Sequence, residues 1–267
     1  MKKLYISADI EGVTGVTHWE ETERGGLGYA EACRQMTLEV AAACRAGQKM
    51  GYEVFVKDAH DSARNIDIQA LPEGVILSRG WHSTPASMMA GVEDHCTCAA
   101  YIGYHSPGGT DYNPLAHTMS NSAYNWFKLN GEICSEFTLN SLLAAYYGVP
   151  SIFLSGDAGM CQLAQGEMPG MVTVATKEGI GNGTINRDPR QVIRDIEAGM
   201  EKALANVGKA PAMAPSYTLQ INYKELSQAR SASFYPGAKL VEGDPKTVEF
   251  TAKDFWDLIV ARSFLSA

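Results

Sequence analysis

No stretch of this 267-residue chain approaches the roughly 20 consecutive apolar residues that a membrane span needs. The apolar run after Met1-Lys2-Lys3 is too short for a signal peptide, and Asp9 and Glu11 interrupt it. Positive charge is scarce. Against 30 Asp and Glu stand 22 Lys and Arg, a formal net charge of -8, which argues against a nucleic-acid-binding surface. Six cysteines, at positions 33, 44, 96, 98, 134 and 161, include no CxxC pair. Cys96-Thr97-Cys98 is too tight for the usual zinc knuckle and reads as buried apolar filler. The glycine-rich run Glu178-Gly179-Ile180-Gly181-Asn182-Gly183 lacks both the GxGxxG spacing and the Walker lysine of a phosphate loop. Internal repeats and low-complexity segments are absent as well. These absences leave a protein with reduced thiols, expected in the cytoplasm, with no nucleic-acid partner and no membrane.

What is present is an α/β pattern. Hydrophobic content of 45% and charged content of 19% are ordinary for a globular protein, and the length suits one large domain or a main domain with an appendage. Leu4-Tyr5-Ile6 reads as a buried strand. Residues 29–50 carry apolar side chains at helical spacing (Tyr29, Cys33, Met36, Val40, Ala43), and 53–57 read as a second strand. Strand, long helix and strand make a βαβ unit, whose crossover gives parallel neighbours. Further strands are predicted over 74–78, 98–103, 151–157 and 171–176, and helices over 135–147 and 188–207, the latter opened by Asp188-Pro189. Asn130-Gly131 between apolar flanks signals a hairpin. The small, Pro-bearing stretch 208–215 reads as a linker, followed by strands over 217–223 and 248–251 and a closing helix over 253–265. The expected architecture is a three-layer αβα fold with a largely parallel, mixed sheet. Residues 1–207 form the α/β catalytic domain of that reading, and residues 208–267 a smaller α+β part.

The chemistry gathers at strand ends. Side chains two apart on a strand share a side, so Asp9 and Glu11 in Ser7-Ala8-Asp9-Ile10-Glu11-Gly12 aim two carboxylates at one place, and Gly12 lets the chain turn away. Two such charges need a cation or a proton between them. Acids at strand ends also stay solvated or cap the next helix, so the pair alone does not decide. His60 follows the second strand and His105 the fourth. In a parallel sheet all of these ends lie on one edge, where ligands bind, so Asp9, Glu11, His60 and His105 can converge. Mixed carboxylate and imidazole ligation is what catalytic zinc or manganese uses. Asp58 is a candidate to orient His60, or a plain surface acid. His117 lies in the loop before the hairpin, and Asp157, at another strand end, is better placed to shape the pocket or cap a helix.

The runs Ser7–Gly12, Asp58-Ala59-His60, Gly103-Tyr104-His105, His117-Thr118-Met119, and Gly131-Glu132 through Tyr147-Gly148-Val149-Pro150 resemble the D-aminopeptidase DppA family of metallopeptidases, in matched order along essentially the whole chain. The resemblance implies two zinc ions per subunit, ligands at Asp9, Glu11, His60, His105 and Glu136, and Asp9 as the bridging carboxylate. Glu136 enters through the resemblance alone, because spacing would leave it a helix-start acid favoured by the helix dipole. His117 matches a catalytic histidine that approaches the metals without ligating them, fit to polarise the substrate carbonyl or move a proton. An equivalent of the glycine-rich run lies near the site in the family, making Lys177 and Asn182 candidates to touch substrate. The segments 17–28 and 108–113 depart from the family pattern and are candidates for the substrate mouth. His18, His82 and His95 have no matched role.

The function this implies is a metal-dependent aminopeptidase that removes an N-terminal D- or L-residue from small peptides. Two metals about 3.5–4 Å apart would bring a bridging water near neutrality as hydroxide, while one holds the free α-amine. The resemblance also implies a homo-oligomer of ring shape, a decamer being one such form. Two other readings stand beside it: another binuclear-metal hydrolase (an amidohydrolase or a phosphoesterase), and a non-catalytic metal-binding transport accessory protein. Phosphate substrates recruit Arg or Lys, and none flanks Asp9, His105 or His117 in sequence.

Overall fold

Residues 2–266 are described by a computed structural model. Leu4, Ile6 and Ala8 face one side of β1 (Lys3–Ala8), Tyr5 and Ser7 the other, and all five are buried, as a central strand of a two-sided sheet requires. The chain continues through α1 (Tyr29–Lys49), β2 (Glu53–Asp58), β3 (Ile76–Ser78), β4 (Cys98–Tyr104), the hairpin β5 (Tyr124–Leu129) and β6 (Glu132–Ile133), and α2 (Glu136–Tyr146). It then forms β7 (Ser151–Asp157), α3 (Ala158–Glu167), β8 (Val172–Ile180), β9 (Gly183–Asn186) and α4 (Pro189–Leu204). The last part holds β10 (Tyr217–Tyr223), α5 (Leu226–Ala232), β11 (Lys239–Val241), β12 (Asp244–Ala252) and α6 (Phe255–Leu265).

Seven strands run in the order β3-β2-β1-β4-β7-β8-β9. All pairings are parallel except β8 with β9. The fold is therefore the expected three-layer α/β arrangement with a largely parallel sheet. One face packs against α1 and α4 through Met36, Val40, Ile196 and Met200. The other packs against α2 and α3, with α6 and a five-stranded antiparallel sheet (β11-β12-β10-β5-β6) beyond them. That second sheet joins the hairpin at 124–133 to the strands at 217–252, in the register Leu219 with Leu129 and Ile221 with Phe127.

Several local features differ from expectation. The glycine-rich run is the tip of the β8–β9 hairpin, where Gly181 takes φ +56° and Asn182 is exposed in the turn. β9, α5 and β11 were not foreseen, being short and weakly periodic. The Asn130-Gly131 turn appears as expected, with both residues at positive φ (52° and 91°), which a two-residue hairpin needs. Gly12 is needed for space and not for a special φ: a Cβ there would lie 1.8 Å from the Tyr104 carbonyl oxygen. Its partner Gly103 sits at φ +72°, where a Cβ would lie 2.2 Å from the Asp9 carbonyl oxygen. These two glycines let the segment after β1 lie directly across the end of β4, with Gly12 N donating to Gly103 O at 2.8 Å. Six cysteines remain thiols, and no helix among the described residues is long and apolar enough to cross a membrane.

Candidate metal centre

The register of the central strands places the site. Ala8 pairs with Asp58 on β2 and with Ile102 on β4, so the chain leaves all three strands at one edge. Asp9 is one residue past β1, His60 two past β2 and His105 one past β4. Asp9 and Glu11 do not share one side of a strand, because β1 ends at Ala8 and residues 9–12 bend into a turn. The two carboxylates nevertheless converge, held by the Asp9 N–H on Ile102 O, the Val13 N–H on Ile10 O and the Lys177 ammonium. Lys177 is 2% exposed, and its Nζ donates to the carbonyls of Glu11, Val13 and Val16, so it braces this turn from behind and faces no substrate.

Glu136 arrives from the opposite side as the first residue of α2. Ser135 caps that helix through the Thr138 N–H, and Thr138 Oγ closes a capping box. Phe137 packs edge-on against Tyr101 at 4.9 Å, and Asn140 Nδ2 donates to Tyr104 Oη at 2.9 Å. The first turn is thereby bolted to β4, and Glu136 points over the sheet edge.

All of the expected residues meet. His60 Nδ1 lies 3.2 Å from both Asp9 Oδ1 and Glu11 Oε2. His105 Nε2 lies 3.6 Å from Asp9 Oδ2 and from Glu136 Oε2, and His117 Nε2 lies 3.6 Å from Glu136 Oε1. The His105 and His117 rings stack at 4.2 Å. Asp9 thus turns one oxygen to each half of the cluster. Potential ligand atoms of Asp9, Glu11 and His105, and separately of His105, His117 and Glu136, lie within 4.8 Å of one another.

Each imidazole is fixed by its other nitrogen. His60 Nε2 donates to Thr22 O (2.8 Å), His105 Nδ1 to Ser106 O (3.0 Å) and His117 Nδ1 to Leu115 O (2.9 Å). A carbonyl oxygen can only accept, so the nitrogen facing the carboxylates carries the lone pair in each neutral ring. That is how metal-ligating histidines are held. The orienting acceptor of His60 is therefore the Thr22 carbonyl, not Asp58, whose oxygens take the N–H groups of Asn65 and Ile66 and the Asn65 side chain. Asp157 likewise is a structural acid. It caps α3 through the Met160 N–H and accepts from Ser106 N and Asn113 Nδ2.

The charges are strained without a cation. Burial and the neighbouring Glu11 lift the Asp9 carboxyl well above its ordinary range. Burial pushes Glu11 and Glu136 the same way, but the facing histidines outweigh it and hold Glu11 well below its usual value and Glu136 at about 2. Against the pull of burial, Glu11 and Asp9 raise His60, and Glu136 raises His105 to about 10. Burial, then His105, lowers His117. Glu11 Oε2 and His105 Nε2 are buried yet receive no hydrogen bond among the described residues. Unpaired buried acceptors cost about 1–3 kcal/mol each. Unpaired acceptors on a carboxylate and on a neutral imidazole, one in each half of the cluster, fit divalent cations.

The cluster opens into a cleft of about 440 Å³ walled by Trp19, Thr22, Trp81, Met119, Asn121 and Arg262. The 17–28 segment lines it as expected, through Trp19, Thr22 and Glu23, whereas no residue of 108–113 does. Arg262 had an overlooked signal: it occupies the buried stripe of α6 otherwise made by Phe255, Leu258, Ile259 and Leu265. Met119 had none, yet its N–H donates to Glu136 Oε1 at 2.8 Å from a left-handed backbone (φ +67°). His18, His82 and His95 are exposed and line no part of the cleft.

Fold and site together define a metal-dependent hydrolase on a parallel α/β sheet. The family model of the M55 peptidases, D-aminopeptidase, matches residues 1–264, and the chain belongs to that family. A D-aminopeptidase of Bacillus subtilis (strain 168) is 29% identical over 260 residues, covering 94% of this chain and 92% of that one. The solved structure described as the Zn-dependent D-aminopeptidase DppA from Bacillus subtilis, a self-compartmentalizing protease, superposes with a TM-score of 0.92. It is 28% identical and covers 99% of this chain and 96% of that one. The chain is accordingly a metallo-aminopeptidase.

Proposed function

We propose that the protein removes the N-terminal, D-configured residue from short peptides with the help of two zinc ions held by Asp9, Glu11, His60, His105 and Glu136. The observation that carries this reading is the fixed orientation of the imidazoles, each tied to a backbone carbonyl on one side and presenting a lone pair to the carboxylates on the other. Asp9, with one oxygen toward His60 and one toward His105, is suited to bridge. Bound zinc lowers the pKa of water and polarises a carbonyl.

The protein's own groups supply the rest. With its proton committed to Leu115 O, neutral His117 offers Nε2 as the acceptor of a proton from the attacking water. Once protonated it becomes a donor to the developing oxyanion or the leaving amine. Trp19 packs edge-on against His117 at 5.3 Å and limits its rotation. Burial of the cluster keeps bulk water from competing for these groups. The closeness of His117 Nε2 to Glu136 and His105 supports a second reading, in which His117 is itself a ligand.

By likeness to the self-compartmentalizing relative, we propose a homo-oligomeric, decameric ring. Phe234 and Phe264, 73% and 66% exposed on either side of Tyr235, are candidate contact residues between copies. The reading of a free amine held at the centre is tested with a dipeptide such as D-Ala-D-Ala and its N-acetyl derivative. Cleavage of the free peptide alone is expected, along with preference over the L-L isomer. Equal turnover of blocked and free peptides would favour the amidohydrolase reading.

A further inference from the structure

Among the described residues Arg262 is the one arginine or lysine on the wall of the catalytic cleft, which otherwise carries Asp9, Glu11, Glu23, Asp61 and Glu136. It is 8% exposed and forms no ion pair among the described residues, although the charge of Glu136 reaches it. Of its five N–H donors, Nη2 serves Pro85 O at 2.8 Å, Nη1 faces only the Met119 sulfur at 3.7 Å, and Nε has no acceptor. A buried guanidinium left this way is costly, since burying a charge is offset only by a paired anion and satisfied donors. Burial lowers its pKa only to about 10, so it remains a cation at neutral pH. Tying α6 to residue 85 would need a single neutral donor.

Its position relative to the centre suggests what the anion is. Met119 touches both, through its N–H on Glu136 Oε1 and its sulfur beside Arg262 Nη1. Arg262 and the cluster thus share Met119 as a neighbour in one cleft, where a peptide held at the cluster would meet the guanidinium. Ser120, Asn121 and Ser266 add uncharged polar lining on the same wall. We propose that Arg262 anchors a substrate carboxylate on the residue following the scissile bond, which makes dipeptides with a free C-terminus the favoured substrate class. Bidentate Arg–carboxylate pairing supplies both energy and orientation. The same chemistry is offered by an acidic side chain at that residue, and the test separates the two sources.

This inference rests on the aminopeptidase reading, and two measurements keep their failures apart. The first compares kcat/KM of the zinc-loaded protein for D-Ala-D-Ala, for D-Ala-D-Ala-amide and for D-Ala-D-Asp-amide. Charge-assisted pairs of this kind correspond to about 10–100-fold, so the free acid is expected to exceed D-Ala-D-Ala-amide by that factor, mostly in KM. Recovery by D-Ala-D-Asp-amide would assign the anion to a side chain. In Arg262→Gln the ratio of acid to amide should collapse toward one, while Arg262→Lys should keep part of it. A wild-type protein that does not discriminate, or a variant that slows both substrates alike, overturns the proposal and leaves Arg262 a packing residue. The second measurement is calorimetric binding of D-Ala-D-Ala and its amide to the metal-free protein. Tighter binding of the acid, lost in Arg262→Gln, upholds the anchor even if neither peptide is cleaved. Equal binding of acid and amide overturns it.

Discussion

Two kinds of buried acid lie along one edge of the same sheet. Asp58 and Asp157, at the ends of β2 and β7, are saturated with donors: backbone N–H groups of Asn65, Ile66, Ser106 and Met160, and the amides of Asn65 and Asn113. Asp9 and Glu136 take a single backbone N–H each, from Ile10 and Met119, and with Glu11 otherwise face imidazole nitrogens, Glu11 Oε2 having no hydrogen bond among the described residues. Sequence places all five at strand ends or a helix start, so position alone does not sort them. The supply of N–H groups does. An acid whose oxygens are all filled by N–H donors builds the edge, and one with oxygens left facing imidazoles is free, on the proposed reading, to take a cation.

The sharpest break of this comparison is Asp9→Ala. Removing the residue that turns to both halves of the cluster should lose bound zinc and lower kcat/KM by at least about 10³-fold, read by elemental analysis alongside peptide cleavage. A variant that kept its metal would place Asp9 with the structural acids. His117→Ala comes next, with kcat lower by about 10²–10³-fold at unchanged zinc content. Loss of an ion in that variant would move His117 into the ligand set. The smallest effect on activity belongs to Asp157→Ala, which removes the α3 cap and orphans donors on Ser106 and Asn113. It should cost about 2–4 kcal/mol of stability, a Tm lower by roughly 5–10 °C, with zinc content intact. If zinc were lost there while folding held, the division between the two kinds of acid would not stand.

Much of this edge was legible in the sequence. The βαβ pattern gives parallel neighbours, and strand ends then bring Asp9, His60 and His105 together whatever the details of the loops. Strand alternation does not account for Glu11, since residues 9–12 leave the strand and are curled by Gly12, Gly103 and Lys177. Glu136 was visible only through family resemblance, because a helix-start glutamate has an ordinary explanation in the helix dipole. Thr22 and Met119 act through backbone atoms, which every residue possesses, so no side-chain pattern could point to them. The pairing of β5 with β10 across some ninety residues of chain is set by packing between distant segments, and local alternation carries no trace of its register.

On the proposed reading one buried cluster holds two ions, with Asp9 between them. Diffraction at the zinc absorption edge from crystals grown with zinc tests it most directly. Two anomalous peaks about 3.5–4 Å apart are expected, one against His60 and Glu11 and the other against His105 and Glu136, with an Asp9 oxygen on each. A single peak, or two peaks that leave Asp9 without a metal, would contradict it.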